Sequence, residues 1–391
     1  MNYDFNKLID RTGTDSLKHD FSAERGMPGD LLSMWVADMD FASPPAVTEA
    51  LIERCRHPVY GYSDTREDYA AVLQSWFSRR FGWTIQDEWL VKTPGIVNSI
   101  CVAVRALTVP GDAVLIQQPV YYPFSSSISG NSRKLVVSSL VYENGRYHID
   151  FEDFERKIIE NNVRMFILCS PHNPVGRVWT KEELTRLGNL CVEHGVIVIA
   201  DEIHADFVHA GHIHTVFASI SPAFAQQTVT CTAPTKTFNL AGLQISNIFI
   251  ANESIRRKFK AELARSGYNE PNIMGYIACK AAYKHGEEWL CQLKEYLAGN
   301  VALVREFLQE HLPQIRLVEP EGTYLVWLDF RTLRLSDKEL DELIVNKAKL
   351  WLDAGTMFGD GGSGFERINI ACPRSVVREA LARIEKAVRE R

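Results

Sequence analysis

Long hydrophobic runs are missing from the 391 residues: no uninterrupted apolar stretch approaches the roughly 18 residues needed to cross a membrane. A basic excess is missing too. With 43 lysines and arginines against 49 aspartates and glutamates, the net charge is −6, so neither nucleic acid nor a membrane is an expected partner. None of the eight cysteines belongs to a CxxC pair, and several, such as Cys169 and Cys231, sit inside apolar runs. They read as reduced, buried small hydrophobes of a cytoplasmic protein rather than a disulfide framework. Internal repeats, low-complexity tracts and a Pro/Gly/Ser linker are also lacking, so domain boundaries are approximate.

What remains is ordinary globular composition, 46% hydrophobic and 24% charged, in a chain too long for one small core. Five short apolar runs, 113–119, 165–171, 196–202, 228–234 and 247–252, alternate with segments of helical period. Without polar alternation they suit strands buried on both faces, hence a parallel sheet clad by helices. Between the second and third runs, Thr180, Glu183 and Gly195 mark the start and stop of a helix, completing a βαβ unit. Beyond about residue 286, long charged helical stretches enclose the strand-like segments IRLVEP, GTYLVWLDF and RINIAC. The expected fold is α/β: a large domain over 48–285 with a mostly parallel sheet between helices, and a smaller α+β domain built from 1–47 and 286–391.

Polar residues punctuate the strand ends, where open α/β sheets bind their ligands. They are Tyr121 in QQPVYYPF, Asn173 in SPHNPVG, Asp201 with His204 in ADEIH, and Lys236 in TAPTKTFNLAG. Thr93, Pro94 and Gly95 precede an apolar helix whose free N–H groups and dipole suit a phosphate. One cofactor, pyridoxal phosphate (PLP), needs all these parts: a lysine for its aldehyde, a carboxylate for its ring nitrogen and an N–H cradle for its phosphate. Singly, each piece is ordinary, because Lys236 could snorkel from a strand end, Asp201 cap a turn and Asn173 merely precede a proline. Their order and co-occurrence decide. His204, His209, His212 and His214 lack the paired spacing of zinc sites, and no metal is expected.

In sequence order, WVADMDF (35–41), SPHNPVG, ADEIH, TAPTKTFNLAGL and RINIACPR (367–374) resemble the fold-type I PLP enzymes of the class I/II aminotransferase superfamily over nearly the whole chain. Within it, WVADMDF, YGYSD, PVYYPF, DEIHADF, KTFNLAG and GFERINIACPR together resemble the C–S lyase branch of cystathionine β-lyases and cysteine desulfhydrases. The resemblance implies that Lys236 holds the cofactor aldehyde and later removes the substrate Cα proton. It implies that Asp201 keeps the ring nitrogen protonated, that Asn173 and His204 hydrogen-bond the ring hydroxyl oxygen, and that Tyr121 stacks on the ring and protonates a departing thiolate. The backbone of Gly95, Ile96 and Val97, the hydroxyl of Thr235 or Thr232, and Tyr62 from a neighbouring subunit would bind the phosphate, which implies a homodimer with shared active sites. Arg374 would grip the substrate α-carboxylate, with Ala37 and Tyr324 lining the substrate side. The glycine-rich run 356–365 has the wrong order for dinucleotide binding and reads as a loop shaping the site near Arg374.

The implied reaction is β-elimination from a sulfur-containing L-amino acid, L-cystathionine or L-cysteine, giving a thiol or hydrogen sulfide, pyruvate and ammonia. Transamination is the alternative within enzymes. Gln244 argues against it, standing where aspartate-type aminotransferases carry a phosphate-binding arginine. Relatives of this branch also bind a transcription regulator, and that second role is the alternative of another class.

Overall fold

The computed structural model describes residues 2–391. Its large sheet has seven strands: β1 (Leu90–Thr93), β2 (Ala113–Ile116), β3 (Lys134–Val137), β4 (Met165–Cys169), β5 (Ile197–Asp201), β6 (Thr228–Thr232) and β7 (Ser246–Phe249). They lie in the order β1-β7-β6-β5-β4-β2-β3. Neighbours from β6 through β3 are parallel, whereas β7 runs antiparallel to both β6 and β1.

The continuous apolar character of the central strands follows from burial on two faces. Along β4, Met165 and Ile167 pack on one side with Ile96, Ile100 and Val104 of helix α1 (Ile96–Leu107). Phe166 and Leu168 alternate to the other side, against Leu184, Leu187 and Cys191 of helix α2 (Lys181–Glu193). Each such fully buried side chain contributes about 1.5–3 kcal/mol of transfer free energy. Helix α2 starts where its chemistry dictates: the Thr180 hydroxyl accepts from the Glu183 N–H, the Glu183 carboxylate accepts from the Thr180 N–H, and Gly195 follows the helix at φ 66°.

A second, four-stranded antiparallel sheet contains β8 (Arg316–Val318), β9 (Leu325–Asp329), β10 (Asp353–Ala354) and β11 (Phe365–Asn369), ordered β8-β9-β11-β10. Helices α3 (Glu287–His311) and α4 (Arg374–Arg389) pack with it through Leu293, Leu297, Val377, Leu381 and Ile384. Leu32–Ser33 pairs in parallel with Leu350–Trp351, tying the N-terminal segment to this sheet. That segment is also locked by charge, since the fully buried Lys18 ammonium lies 2.7 Å from Asp40 and the Arg11 guanidinium bridges Asp38 and Asp40. Among the described residues no helix is long and apolar enough to cross a membrane.

Strands β4, β5 and β6 end side by side, with Asp201 opposite Cys169 on one neighbour and Cys231 on the other. The segments leaving these three ends carry Asn173, His204 and Lys236. Their polar groups are thereby delivered to one edge of the sheet.

Candidate active site

At that edge lies a cavity of about 310 Å³ lined by Ala37, Gly95, Ile96, Val97, Tyr121, Asn173, Asp201, His204, Thr235 and Lys236. Pro94, Asn98, Cys169, Ile203 and Ala241 complete the wall. Residues more than 190 positions apart therefore meet, and most of the residues singled out from sequence are among them.

Lys236 reaches the cavity because β6 stops at Thr232 and Pro234 opens a single helical turn, Pro234–Thr237, at a position where its missing N–H costs nothing. The Thr237 hydroxyl donates to Asp206 Oδ2 at 2.9 Å and fixes that turn. Lys236 Nζ donates to the Ala37 carbonyl at 2.7 Å, and the Tyr324 hydroxyl donates to the same oxygen at 3.0 Å. Burial pushes the Lys236 amine down to about 8, partly offset by the charge of Asp38. A neutral amine is thus accessible near neutral pH. The Ala37 segment is held from several sides: Asn369 Nδ2 donates to the carbonyls of Val36 and Asp38, and Asn239 Oδ1 accepts from the Met39 N–H.

Asp201 accepts from the Ile203 N–H at 3.1 Å, yet burial pushes its carboxyl up to about 7. A carboxylate buried beyond the reach of water needs a cationic partner. His204 is buried and driven down to about 3, by desolvation first and then by the charges of Lys236 and Arg367, so it is neutral; its Nδ1 has no partner. Burial raises the Tyr121 phenol, keeping it protonated at neutral pH. Of the two adjacent tyrosines, Tyr121 faces the cavity, while Tyr122 turns its ring toward Phe358.

The anion cradle is the start of α1. Its first i→i−4 donor is Ser99, whose N–H reaches the Gly95 carbonyl at 3.0 Å, leaving the preceding N–H groups outside the helical ladder. The Ser99 hydroxyl, bonded to Thr93 Oγ1 and to the Gly95 carbonyl, pins the turn. A Cβ placed on Gly95 would meet nothing within 4 Å, so open space lies over the cradle. Cradle, buried carboxylate, orphaned imidazole nitrogen and terminal amine together fit PLP, with Lys236 holding its aldehyde end, Asp201 its ring nitrogen and α1 its phosphate.

Two sequence expectations require correction. Arg374 is not at the cavity: its Nε donates to Asn300 Oδ1, its Nη2 to the Tyr296 carbonyl, and its guanidinium lies over the Tyr296 ring. The arginine that does reach the site is Arg367, missed although it opens the same RINIACPR run. Its Nη1 donates to Asn173 Oδ1 at 2.9 Å, its Nη2 to the Trp35 carbonyl at 2.8 Å, and Asp353 neutralises it, while its Nε has no partner. Residue type could not separate the two arginines. The element each occupies does, since Arg367 lies on β11, whereas Arg374 begins α4. The glycine-rich loop accordingly lies near Arg367, whose guanidinium is 5.0 Å from the Phe358 ring, and it braces the chain before Tyr121 through Asp360 N–H to Gln118. The second correction is Thr232, whose hydroxyl is spent on the Asn247 carbonyl at 2.7 Å, leaving Thr235 as the threonine on the cavity. Tyr62 is 98% exposed and makes no contribution to the cavity of its own chain.

Residues 30–384 match the family Aminotransferase class I and II. Cystathionine β-lyase PatB of Bacillus subtilis (strain 168) is 44% identical over 388 residues, covering 99% of this chain and all of that protein. Among solved structures, a PLP-bound protein from Clostridium difficile 630 named as an aminotransferase superposes with a TM-score of 0.97 at 44% identity, over 99% of this chain and 100% of the other. The PLP-bound C–S lyase of Staphylococcus hominis superposes with a TM-score of 0.92 at 35% identity, over 99% of this chain and 98% of the other. The chain belongs to the class I and II aminotransferase family of PLP enzymes, and within it to the PLP-dependent carbon–sulfur lyases.

Proposed function

We propose that the enzyme cleaves the Cβ–S bond of a sulfur-containing L-amino acid, L-cystathionine or L-cysteine, by β-elimination to a thiol or hydrogen sulfide, pyruvate and ammonia. The observation that carries this reading is the pairing of Lys236, an amine that burial lowers to about 8 so that its neutral form is within reach, with Tyr121, a phenol that stays protonated at neutral pH, on one cavity. Elimination needs one group to take a proton from Cα and another to give one to sulfur.

When bound, PLP supplies an aldehyde for the substrate amino group and an electron-poor ring that takes up the electron pair left at Cα. The remaining tasks fall to the protein. Lys236 Nζ removes the Cα proton, and its hydrogen bond to Ala37 holds it at the substrate side of the cavity. Asp201 ionises beside the cationic ring nitrogen, because an adjacent positive charge offsets the burial that otherwise raises its pKa. Asn173 spends its carbonyl oxygen on Arg367, which leaves its amide N–H₂ to donate to the ring hydroxyl oxygen. The unpartnered His204 Nδ1 lies on the same wall. Arg367 replaces Arg374 as the proposed clamp for the substrate α-carboxylate, with Asp353 balancing its charge when substrate is absent.

The site is proposed to be completed by a second copy of the chain. Val59, Tyr60 and Tyr62 stand exposed on the segment between helices Pro45–Arg56 and Glu67–Phe81, an apolar stretch that a homodimer would cover. Tyr62 would reach the partner's phosphate cradle. A cytoplasmic location accords with the reduced cysteines.

The reading is tested by incubating the PLP-loaded enzyme with L-cystathionine and no 2-oxo acid. Equimolar homocysteine, pyruvate and ammonia are expected. A strict requirement for an added 2-oxo acid, with homocysteine absent, would reassign the chain to transamination.

A further inference from the structure

Arg25 ends a single 3-10 turn, Ala23–Arg25, closed by Gly26 at φ 68°. Its guanidinium carbon lies 5.0 Å from the centre of the Trp35 ring. Among the described residues it has no ion pair, so its donors are not committed to the protein. Resting an arginine on an indole fixes its plane while leaving the fork free.

Its surroundings belong to the site. The Trp35 carbonyl accepts from Arg367 Nη2, its indole stacks on Trp351 at 4.6 Å, and Ala37, two residues on, accepts from Lys236. On another side is Tyr122, whose ring centre is 5.4 Å from that of cavity-lining Tyr121. The Tyr122 phenol feels the charges of Asp353, Arg367 and Arg25, so all three lie within electrostatic reach of it. Arg367 and Asp353 cancel each other. Arg25 has no such partner, and its positive charge rests on Trp35, the residue whose carbonyl holds the proposed α-carboxylate clamp.

We propose that Arg25 is a specificity-determining residue: its guanidinium pairs with a carboxylate at the far end of the substrate's sulfur substituent. The enzyme then prefers S-substituted cysteines with an acidic or dipolar tail over those with an alkyl tail. The inference rests on the reading that sulfur amino acids enter this cavity and adds which tails they carry.

The test uses sulfur-free, uncleavable mimics of matched length. L-2-aminopimelate ends in a carboxylate where L-2-aminoheptanoate ends in a methyl group. Both are titrated into PLP-loaded wild-type and Arg25→Ala enzyme, followed by the change in cofactor absorbance. Arg25→Ala should lower the affinity ratio of pimelate to heptanoate mimic by about tenfold, as expected for losing one charge-assisted hydrogen bond, with heptanoate binding unchanged. Arg25→Glu should lower the ratio further. An unchanged ratio in both variants overturns the proposal, as does equal weakening of both ligands. The elimination reading is judged separately, by pyruvate release from L-cystathionine in the wild-type enzyme. Absence of that activity alongside an intact Arg25 effect would remove the lyase reading and leave the tail-reading role standing.

Discussion

Asp201 and Lys236 are both ionisable and both buried, and in the cofactor-free chain each is a liability to the fold. The Asp201 carboxyl is raised from 3.8 to about 7, so the folded chain binds its proton more tightly than the unfolded chain. Stability is therefore lost as pH climbs from about 4 to about 7, and the penalty is fully present above that, on the order of 4 kcal/mol. Asp201→Asn should accordingly raise the melting temperature of the cofactor-free protein at pH 8, with the gain fading toward pH 4, while weakening PLP retention. A lower melting temperature at pH 8 would show that the carboxylate has a cationic partner even without the ring. The two arginines of RINIACPR give a second contrast at this scale. Arg367→Lys keeps the charge and loses the fork, and should raise KM by roughly 10–100-fold, whereas Arg374→Lys should leave KM within about twofold. Steady-state kinetics decide this, and a reversed pattern would restore Arg374 to the site. The sequence could name the right residue type here but not the right copy. Arg374 was attractive for following a motif, yet its position at a helix start sends the guanidinium to Tyr296 and Asn300.

At the scale of the element, α1 carries the anion site through its first turn. Gly95 is extended (φ 173°), a conformation open to any residue, so its value lies in the empty volume its missing side chain leaves over the cradle. Gly95→Val should therefore leave folding stability within about 1 kcal/mol, the scale of a strand or helix-end glycine replacement, and lower PLP affinity by at least tenfold. Equilibrium unfolding and cofactor titration separate these. A large stability loss with intact cofactor binding would contradict the assignment of this turn. Elements with a strong local signal were readable in advance: Thr180 and Glu183 form the reciprocal cap their spacing implies. Edge strands were not. Lys134–Val137 mixes exposed and half-buried positions at the sheet margin, and Leu90–Thr93 alternates, so neither shows the uninterrupted apolar run that marks a central strand. The antiparallel direction of β7 escaped for a different reason. Strand direction depends on the path of the connecting chain, and apolar content is blind to it.

For the whole molecule, the order of the sheet explains why the site could be anticipated from scattered motifs. Three adjacent parallel strands, β4, β5 and β6, deliver their following loops to one edge, so motifs at 169–173, 201–204 and 232–236 had to converge once the strands were known. The proposed contribution of Tyr62 from a second chain requires a test that a single chain cannot give. Lys236→Ala and Tyr62→Ala homodimers should each be weak or inactive. Refolding them together should recover about a quarter of wild-type activity, since half the dimers are hybrids with one intact site. No recovery beyond the sum of the parents would place Tyr62 outside the site.

The central claim, elimination in which Lys236 moves the Cα proton and no second substrate is needed, is tested most directly by counting turnovers. Pyruvate released from L-cystathionine per active site, in the absence of any 2-oxo acid, should pass one equivalent and keep rising linearly, and should vanish in Lys236→Ala. Pyruvate absent, with amino-group transfer stopping at one equivalent per site until a 2-oxo acid is added, would contradict the account and make the enzyme an aminotransferase.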